Sequence, residues 1–309
     1  MLDHRTHTFL TVYRERSFTK AAASLMVTQP AVSQHIRQIE AHYGVPLFVK
    51  TGRGIEPTRA GDALYQRLQT MACDERRILE EMARLSGSTP RTAPLRLGCT
   101  RTIADFIAPD LIARHLSHHP DAPVPVVSGN TRELVLKLDQ GDVDLALVEG
   151  SFDRGRFSWE TFSHEPYIAI GRSGMRSPAS IRDLLSERLI VREAGSGSRE
   201  ILEKHLAARD LSLDDFAETV EIASIPTIKA CVAAGAGVAF MYGIAAEREL
   251  ASGELSDITP RDFEMEHDFC LIWQRGSQFA SRYRALCDTW RRGGTDAEAD
   301  AAHRLDGRA

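Results

Sequence analysis

A group of polar side chains near the N-terminus is spaced to share one face of a short helix. Gln29, Ser33 and Arg37 follow one another at intervals of four residues, Gln34 lies beside them, and Val32 belongs to the opposite face. Glutamine can hydrogen-bond adenine through two atoms, serine can bond several base edges, and arginine reaches guanine or phosphate. The pattern predicts DNA contacts, although a solvated face of an ordinary helix would show it as well.

The predicted contacts extend to both ends of this helix and to a following turn. Pro30 offers an apolar contact, and the cations of the turn would lie near phosphates. The full predicted set is Thr28, Gln29, Pro30, Ser33, Gln34, Arg37, Lys50 and Arg53.

Two short helices with almost no spacer must position that face. Ser17 or Thr19 caps the first, Thr28 caps the second, and Gly44 ends it. Residues 45–58 then read as two short strands around the turn TGRG. In a helix-turn-helix the second helix enters the major groove, which is the arrangement this stretch predicts.

A long helix follows, because Thr58 to Leu85 contains no proline. Its apolar residues fit a 4-3 heptad in which Glu75 takes one position, and 86–94 reads as a linker. A two-stranded coiled coil is favoured over packing within one domain. The predicted dimer contacts are Leu64, Leu68, Met71, Ile78, Met82 and Leu85.

The rest of the chain alternates between strand and helix patterns, which predicts an α/β architecture with parallel strands. Strands are predicted at 95–100, 124–128, 143–148, 165–171, 188–191, 218–222, 236–240 and 267–273. Helices are predicted at 103–118, 131–140, 180–185, 198–209, 226–234, 242–250 and 278–291.

Hydroxyl, amide and charged side chains follow several of these strands. Ligands of open α/β sheets bind at such strand ends, where helix N-termini favour anions. Plain helix capping explains the same residue types, and Arg101, the one cation noted in these loops, could pair a carboxylate or point to solvent. The predicted effector contacts are Thr100, Arg101, Thr102, Asn130, Thr131, Glu149, Ser196, Gly197 and Ser198.

Charge and composition bound the class of protein. The net charge is −5, but residues 1–60 carry +4 and the remainder −9, which fits a DNA-binding module on an acidic body. The longest uncharged run, 230–246, is shorter than the ~20 residues of a membrane helix, and no signal peptide is visible. Five widely spaced cysteines suggest neither a disulfide framework nor a zinc site. A cytoplasmic location without membrane association is expected.

The stretch SFTKAAASLMVTQPAVSQHIRQIEAHYGVPLFVKTGRGIEPTRAG resembles the N-terminal domain of the LysR-type transcriptional regulators. Its dense motifs are S-F-T-x-A-A, T-Q-P-A-V-S-x-x-I-x-x-I-E, G-x-x-L-F-x-K-x-x-R and T-x-A-G. The resemblance continues through 95–121, 139–150, 190–200 and 224–240, and so covers about residues 1–291.

The resemblance implies a winged helix-turn-helix, a dimerisation helix and a two-lobed effector domain like a periplasmic binding protein. The implied divisions are 1–58, 59–86, a hinge at 87–94, the effector domain at 95–291 and a disordered tail at 292–309. Lobe I would hold about 95–166 and 268–291, and lobe II about 167–267. The implied partners are promoter DNA, a small effector that we expect to be anionic, and further copies in a homodimer or homotetramer, with RNA polymerase a further candidate.

Two other classes of function stay open at this stage. A thiol redox sensor of the same architecture would have to use Cys99, although a buried strand cysteine is inert. An enzyme or solute-binding protein is disfavoured, because GxxxxGK[ST], GxSxG and HExxH are absent and His115 with His119 has no further ligand assigned. No cofactor, metal or catalytic residue is predicted.

Overall fold

The computed structural model describes residues 2–52, 54–87, 94–120 and 123–291. The chain divides into two compact units. The first comprises Met1–Ala93 with the short segments Asp139–Gly141 and Gln274–Ser281, and the second comprises the rest. The predicted tail at 292–309 and most of the predicted hinge lie outside the described residues.

The first unit begins with three helices and a two-stranded antiparallel hairpin. Ser17 and Thr28 accept hydrogen bonds from backbone N–H groups at the second and third helix starts, and Gly44 takes the left-handed conformation that ends the third helix. The elements are α1 (His4–Glu15), α2 (Phe18–Leu25), α3 (Gln29–Tyr43), β1 (Phe48–Thr51) and β2 (Gly54–Pro57).

The long helix α4 (Arg59–Leu85) begins where the hairpin returns to the helices. Thr58 caps it by accepting from the N–H of Gly61 at 3.0 Å. A Cβ on Gly61 would stand 2.3 Å from the carbonyl oxygen of Leu47, so only glycine lets the two backbones approach this closely. The helix start is thus fixed against the hairpin by backbone contact.

The first turns of α4 pack into the core of the first unit and bring two of the predicted dimer contacts into it. Leu68, predicted as a dimer contact, is buried in the core cluster that contains Phe9, Val32 and Ile36, and Leu64 packs against the same cluster. Later positions differ, because the side chains of Met71, Ile78, Met82 and Leu85 are exposed.

The second unit is built on one mixed sheet whose strand order is β4-β3-β5-β11-β6-β9-β7-β8, with β10 added on β6. Parallel pairing holds among β4, β3 and β5 and among β9, β7 and β8, whereas β11–β5, β6–β9 and β10–β6 are antiparallel. The predicted parallel strands are therefore present, but antiparallel pairings that the alternating pattern did not indicate accompany them. The strands are β3 (Leu97–Thr100), β4 (Val126–Gly129), β5 (Leu145–Val148), β6 (Phe157–Arg172), β7 (Arg188–Val191), β8 (Glu218–Glu221), β9 (Val238–Tyr242), β10 (Leu255–Asp257) and β11 (Glu266–Gln274).

Helices cover the sheet and form two apolar clusters with it. One cluster joins α7 to β5 and β11, and the other joins α9 and α10 to β6, β7 and β9. The helices are α5 (Arg101–Phe106), α6 (Ala108–His118), α7 (Thr131–Gln140), α8 (Gly197–Ala207), α9 (Ile225–Ala233), α10 (Gly243–Ser252) and α11 (Ala280–Arg291), with 3-10 turns at Ile181–Ser186 and Leu213–Asp215.

The single helix predicted at 103–118 is two helices, α5 and α6. The helix is interrupted at Ile107. Pro109 lies in the first turn of α6, where its missing N–H removes no helical hydrogen bond. Within the described part of the chain, no helix has the length and apolarity to cross a membrane.

Candidate functional site

The exposed face of α3 carries the polar side chains predicted to contact DNA. Thr28, Gln29, Pro30, Gln34 and Arg37 are exposed, and Ser33 is half-buried. The Gln29 amide donates to the Ser33 hydroxyl at 2.9 Å, which confirms that these two residues share one face. The opposite face is buried in the core through Val32, Ile36 and Ile39.

A carboxylate that the sequence reading did not single out anchors the hairpin to α3. Glu40 accepts a hydrogen bond from the N–H of Leu47 at 2.8 Å, at the start of the segment that leads into β1. Lys50 lies exposed on that strand, whereas Arg53 falls outside the described residues. Glu40 therefore gives a physical reason for the E in the motif I-x-x-I-E followed by G-x-x-L-F.

A narrow pocket in the second unit gathers most of the residues predicted to contact an effector. It encloses about 200 Å³ of space, part of it open to solvent. It lies where β3, β4, β5 and β7 end and α8 begins. Its lining residues are Thr100, Arg101, Gly129, Asn130, Glu149, Arg192, Glu193, Ser196 and Gly197.

Two of these lining residues, Arg192 and Glu193, are not among the effector contacts predicted from the sequence. They follow β7 directly, so their position at a strand end is the sequence signal that indicates them. Arg192 is buried and forms an ion pair with Glu193 at 2.9 Å, and Arg101 forms an ion pair with the same carboxylate at 2.6 Å. Arg101 is therefore not the one cation of these loops. Burial opposes ionisation of Glu193, but its bonds to the two arginines hold its pKa below the ordinary value.

Glu149, at the end of β5, is the most buried acid of the pocket, with 3% of its surface exposed. Its Oε1 accepts from the Thr102 hydroxyl at 3.2 Å, and its Oε2 has no hydrogen-bond partner among the described residues. Burial raises the pKa of Glu149 to about 7, against the opposing effects of the Thr102 hydroxyl, the Arg192 charge and the nearby Thr100 hydroxyl.

Among the hydroxyl and amide residues at the strand ends, one caps a helix and others have no hydrogen-bond partner among the described residues. Asn130 caps α7, since its Oδ1 accepts from the Glu133 N–H at 2.9 Å. Thr100 and Thr131 are buried, and their hydroxyls have no partner among the described residues. Thr131 does not line the pocket but lies against Gly150. The structure thus supports the capping interpretation for Asn130 alone.

A second pocket of about 250 Å³ adjoins the first and shares Arg192 with it. Thr102 and Ser198, both predicted effector contacts, lie here, and Ser198 hydrogen-bonds Ser196 of the first pocket at 3.0 Å. The other lining residues are Ile225, Ile228, Phe240, Met241, Tyr242 and Ala245. A polar pocket therefore opens beside an apolar one, with a buried arginine common to both.

The features needed for thiol or metal chemistry are weak in the described part of the chain. Cys99 is fully buried, and burial raises its pKa to about 12, which keeps it a thiol. The rings of His115 and His119 lie with their centroids 4.9 Å apart and their planes tilted by 45°, but no group of three or more His, Cys, Asp or Glu side chains suited to a metal ion is found among the described residues.

Comparison with known proteins gives matches over nearly the whole chain. The model of the bacterial regulatory helix-turn-helix protein, lysR family, matches residues 4–62, and that of the LysR substrate binding domain matches residues 88–294.

Two curated relatives and one solved structure illustrate the likeness. The transcriptional regulator CysL of Bacillus subtilis is 28% identical over 86% of this chain and 88% of its own. The regulator CbbR of Sinorhizobium medicae is 32% identical over 76% of this chain and 75% of its own.

The solved structure is the regulatory domain of CcmR from Synechocystis, in complex with 2-PG. It superposes with a TM-score of 0.58 at 21% identity, over 66% of this chain and 98% of that one, which shows a shared fold. Because the LysR substrate binding domain model matches more than half of the chain and the lysR-family helix-turn-helix model matches the segment before it, the chain belongs to the LysR family of transcriptional regulators.

Proposed function

We propose that this regulator reads promoter DNA through the exposed face of α3 and responds to a small anion held in the polar pocket. The observation that carries the effector assignment is Arg192, a buried cation lining both pockets. Its charge is only partly matched, because Glu193 is shared between Arg192 and Arg101. A buried arginine presents several donors in fixed geometry to a carboxylate or phosphate.

Reading of bases by α3 is supported by the side chains that it exposes at its N-terminal end. Gln29, Ser33 and Gln34 have the lengths and donors that suit base edges, and Arg37 lies one turn further on, where a phosphate contact is expected. Lys50 on the hairpin would add a phosphate contact, and so would Arg53.

The anion would bind where the Ser196–Ser198 segment begins α8 and where the Thr100 hydroxyl has no hydrogen-bond partner among the described residues. Its remaining atoms would extend past Arg192 into the apolar pocket. The CcmR complex with 2-PG supports a small molecule as the ligand of this type of domain. The predicted lobes, about 95–166 with 268–291 and about 167–267, would enclose the ligand, and ligand binding would shift the equilibrium between their arrangements.

We infer a dimer through α4, because Met71, Ile78, Met82 and Leu85 are exposed along the predicted seam. Two dimers forming a tetramer on paired half-sites, contact with RNA polymerase, a cytoplasmic location and the absence of enzymatic activity complete the proposal. These properties rest on the family, whose curated relatives here are transcriptional regulators.

The test is binding of the purified chain to the DNA just upstream of its own gene, against a scrambled duplex, at two salt concentrations. Specific protection of two half-sites is expected, weakening steeply as salt rises because phosphate contacts release counterions. No preferred site in a genome-wide selection of bound fragments would refute the DNA assignment.

Arg37→Ala sharpens this test. We expect weaker binding to every sequence and a salt slope reduced by about one, as for loss of one phosphate contact. Arg248→Ala, which removes an exposed cation from α10, is the matched control and should leave both quantities unchanged. A loss confined to one base position would instead make Arg37 a base-reading residue.

A further inference from the structure

An anion bound in the proposed pocket would lie beside the carboxyl group of Glu149, which is itself negative when ionised. The pocket contains its carboxyl, and the first residue of α8 lies directly against it, since a Cβ on Gly197 would stand 3.2 Å from the Glu149 Cγ. Its Oε2 is buried and unpartnered among the described residues. A buried charged oxygen without a donor is costly, so a ligand, a water or a proton must complete this group.

The ionisable groups around Glu149 leave it as the one poised to change charge near neutral pH. Arg192 and Glu193 face it from the segment after β7, where Arg192 forms an ion pair with Glu193, a carboxylate that it shares with Arg101. Tyr167 on β6 and Tyr242 on β9 stay neutral, because burial raises the pKa of both phenols. His267 on β11 neighbours its backbone, and burial lowers the pKa of that ring.

Two negative charges in one buried site cannot both persist without a compensating cation, so one of them takes up a proton. The arginines are already bonded to Glu193, so they only partly supply that compensation. A protonated Glu149 would turn its free oxygen into a hydrogen-bond donor aimed at the anion.

We propose that Glu149 is a specificity-determining residue through which the effector site binds an anion together with one proton. This inference rests on the proposed function, because it concerns the same pocket. When the ligand is fully ionised, the proton resides on Glu149. When the ligand still carries a proton, as hydrogen phosphate or a singly protonated diacid does, the proton can arrive with the ligand. The site therefore favours anions that bring a proton over those that cannot.

Inorganic sulfate is the probe for the experiment, because its charge does not change between pH 7 and 8.5. Its affinity for the full-length protein is measured at both pH values by calorimetry at constant ionic strength. We expect affinity about fifteenfold weaker at pH 8.5, as linkage requires when the free carboxyl titrates near 7 and the bound one well above. At pH 7.5, titrations in imidazole and in Tris buffers should report uptake of about 0.8 proton per sulfate.

Glu149→Gln keeps the size of the side chain and offers a permanent donor. We expect this variant to bind sulfate with equal affinity at both pH values and to take up no proton. Glu247→Gln, an exposed residue of α10, removes the same charge elsewhere and should behave as the unaltered protein does. The proton count on the unaltered protein stands even if Glu149→Gln folds poorly.

The outcomes separate this inference from the proposed function. Sulfate binding with no proton uptake and no pH dependence would overturn the role of Glu149 while leaving the anion site intact. Proton uptake that persists in folded Glu149→Gln would also overturn it. Absence of sulfate binding at either pH, up to about 50 mM, would overturn both the anion site and the inference.

Discussion

At the scale of single residues, Glu149 also ties the stability of the second unit to pH. Its pKa is raised from 4.5 to about 7 in the folded chain, so the folded state holds a proton that the unfolded state has lost across that interval. The stabilising contribution is complete below pH 4.5 and is lost as pH rises through 7. Its full size is about 3 kcal/mol.

Glu149→Gln isolates this effect from the titration of other groups. We expect the free energy of unfolding of the variant, relative to the unaltered protein, to rise by 1 to about 3 kcal/mol between pH 5 and pH 8. Urea unfolding followed by tryptophan fluorescence measures it, because Trp159, Trp273 and Trp290 all belong to the second unit. An unchanged difference across that range would mean that Glu149 is ionised when buried.

At the scale of elements, the start of α4 depends on one glycine. Gly61→Ala would place a methyl group 2.3 Å from the Leu47 carbonyl oxygen, and relief requires backbone movement. We expect a loss of about 3 kcal/mol from the stability of the first unit, the upper range for overpacking. Thermal melts by circular dichroism, with DNA binding as a second readout, measure the loss.

Gly52→Ala is the control for this substitution. A Cβ at residue 52 would meet no atom of the described residues within 4 Å, so the variant should melt as the unaltered protein does. Equal melting of both alanine variants would show that the contact at Leu47 relaxes without cost.

The exposed apolar side chains in the later turns of α4 lead to a prediction about dimerisation. Met82 is half exposed in the single chain, so Met82→Glu should leave the fold intact. In a coiled-coil dimer it would place two charges in the seam and remove two buried side chains, weakening dimerisation on the order of a hundredfold. Analytical ultracentrifugation measures the dissociation constant.

Gln66→Glu adds the same charge outside the predicted seam and should leave the dimer unaffected. Equal dimerisation of Met82→Glu would move the interface away from α4.

The elements that sequence could predict are those set by local signals. Ser17, Thr28 and Gly44 mark helix ends through their own side chains or conformation, and all three act as predicted. Strand direction has no such signal, because an alternating apolar pattern reads the same in both directions. The antiparallel pairings of β6 and β11 were therefore missed.

The pocket shows the same division. Residues at the ends of β3, β4 and β5 were found by the strand-end rule, whereas Ile225 and Met241 come from distant parts of the chain. Met241 reaches the apolar pocket because β9 lies beside β7, a neighbour relation that only the folded sheet reveals.

At the scale of the whole molecule, the chain combines a helix-turn-helix unit and a substrate-binding-domain unit that carry different net charges. The first 60 residues carry +4 and the remainder −9, so the positive charge is concentrated in the part that meets DNA. Each unit has an apolar core of its own. A chain with separate cores need not unfold in one step.

This separation predicts which transition a ligand stabilises. Tryptophan fluorescence reports the second unit alone, whereas circular dichroism reports both units, so we expect two resolved transitions on heating. Sulfate at a hundredfold excess over its dissociation constant should stabilise only the fluorescent transition, by about 2.7 kcal/mol. Operator DNA should raise the temperature of the transition of the first unit. If both probes gave one coincident transition that sulfate shifted as a whole, the two units would unfold cooperatively.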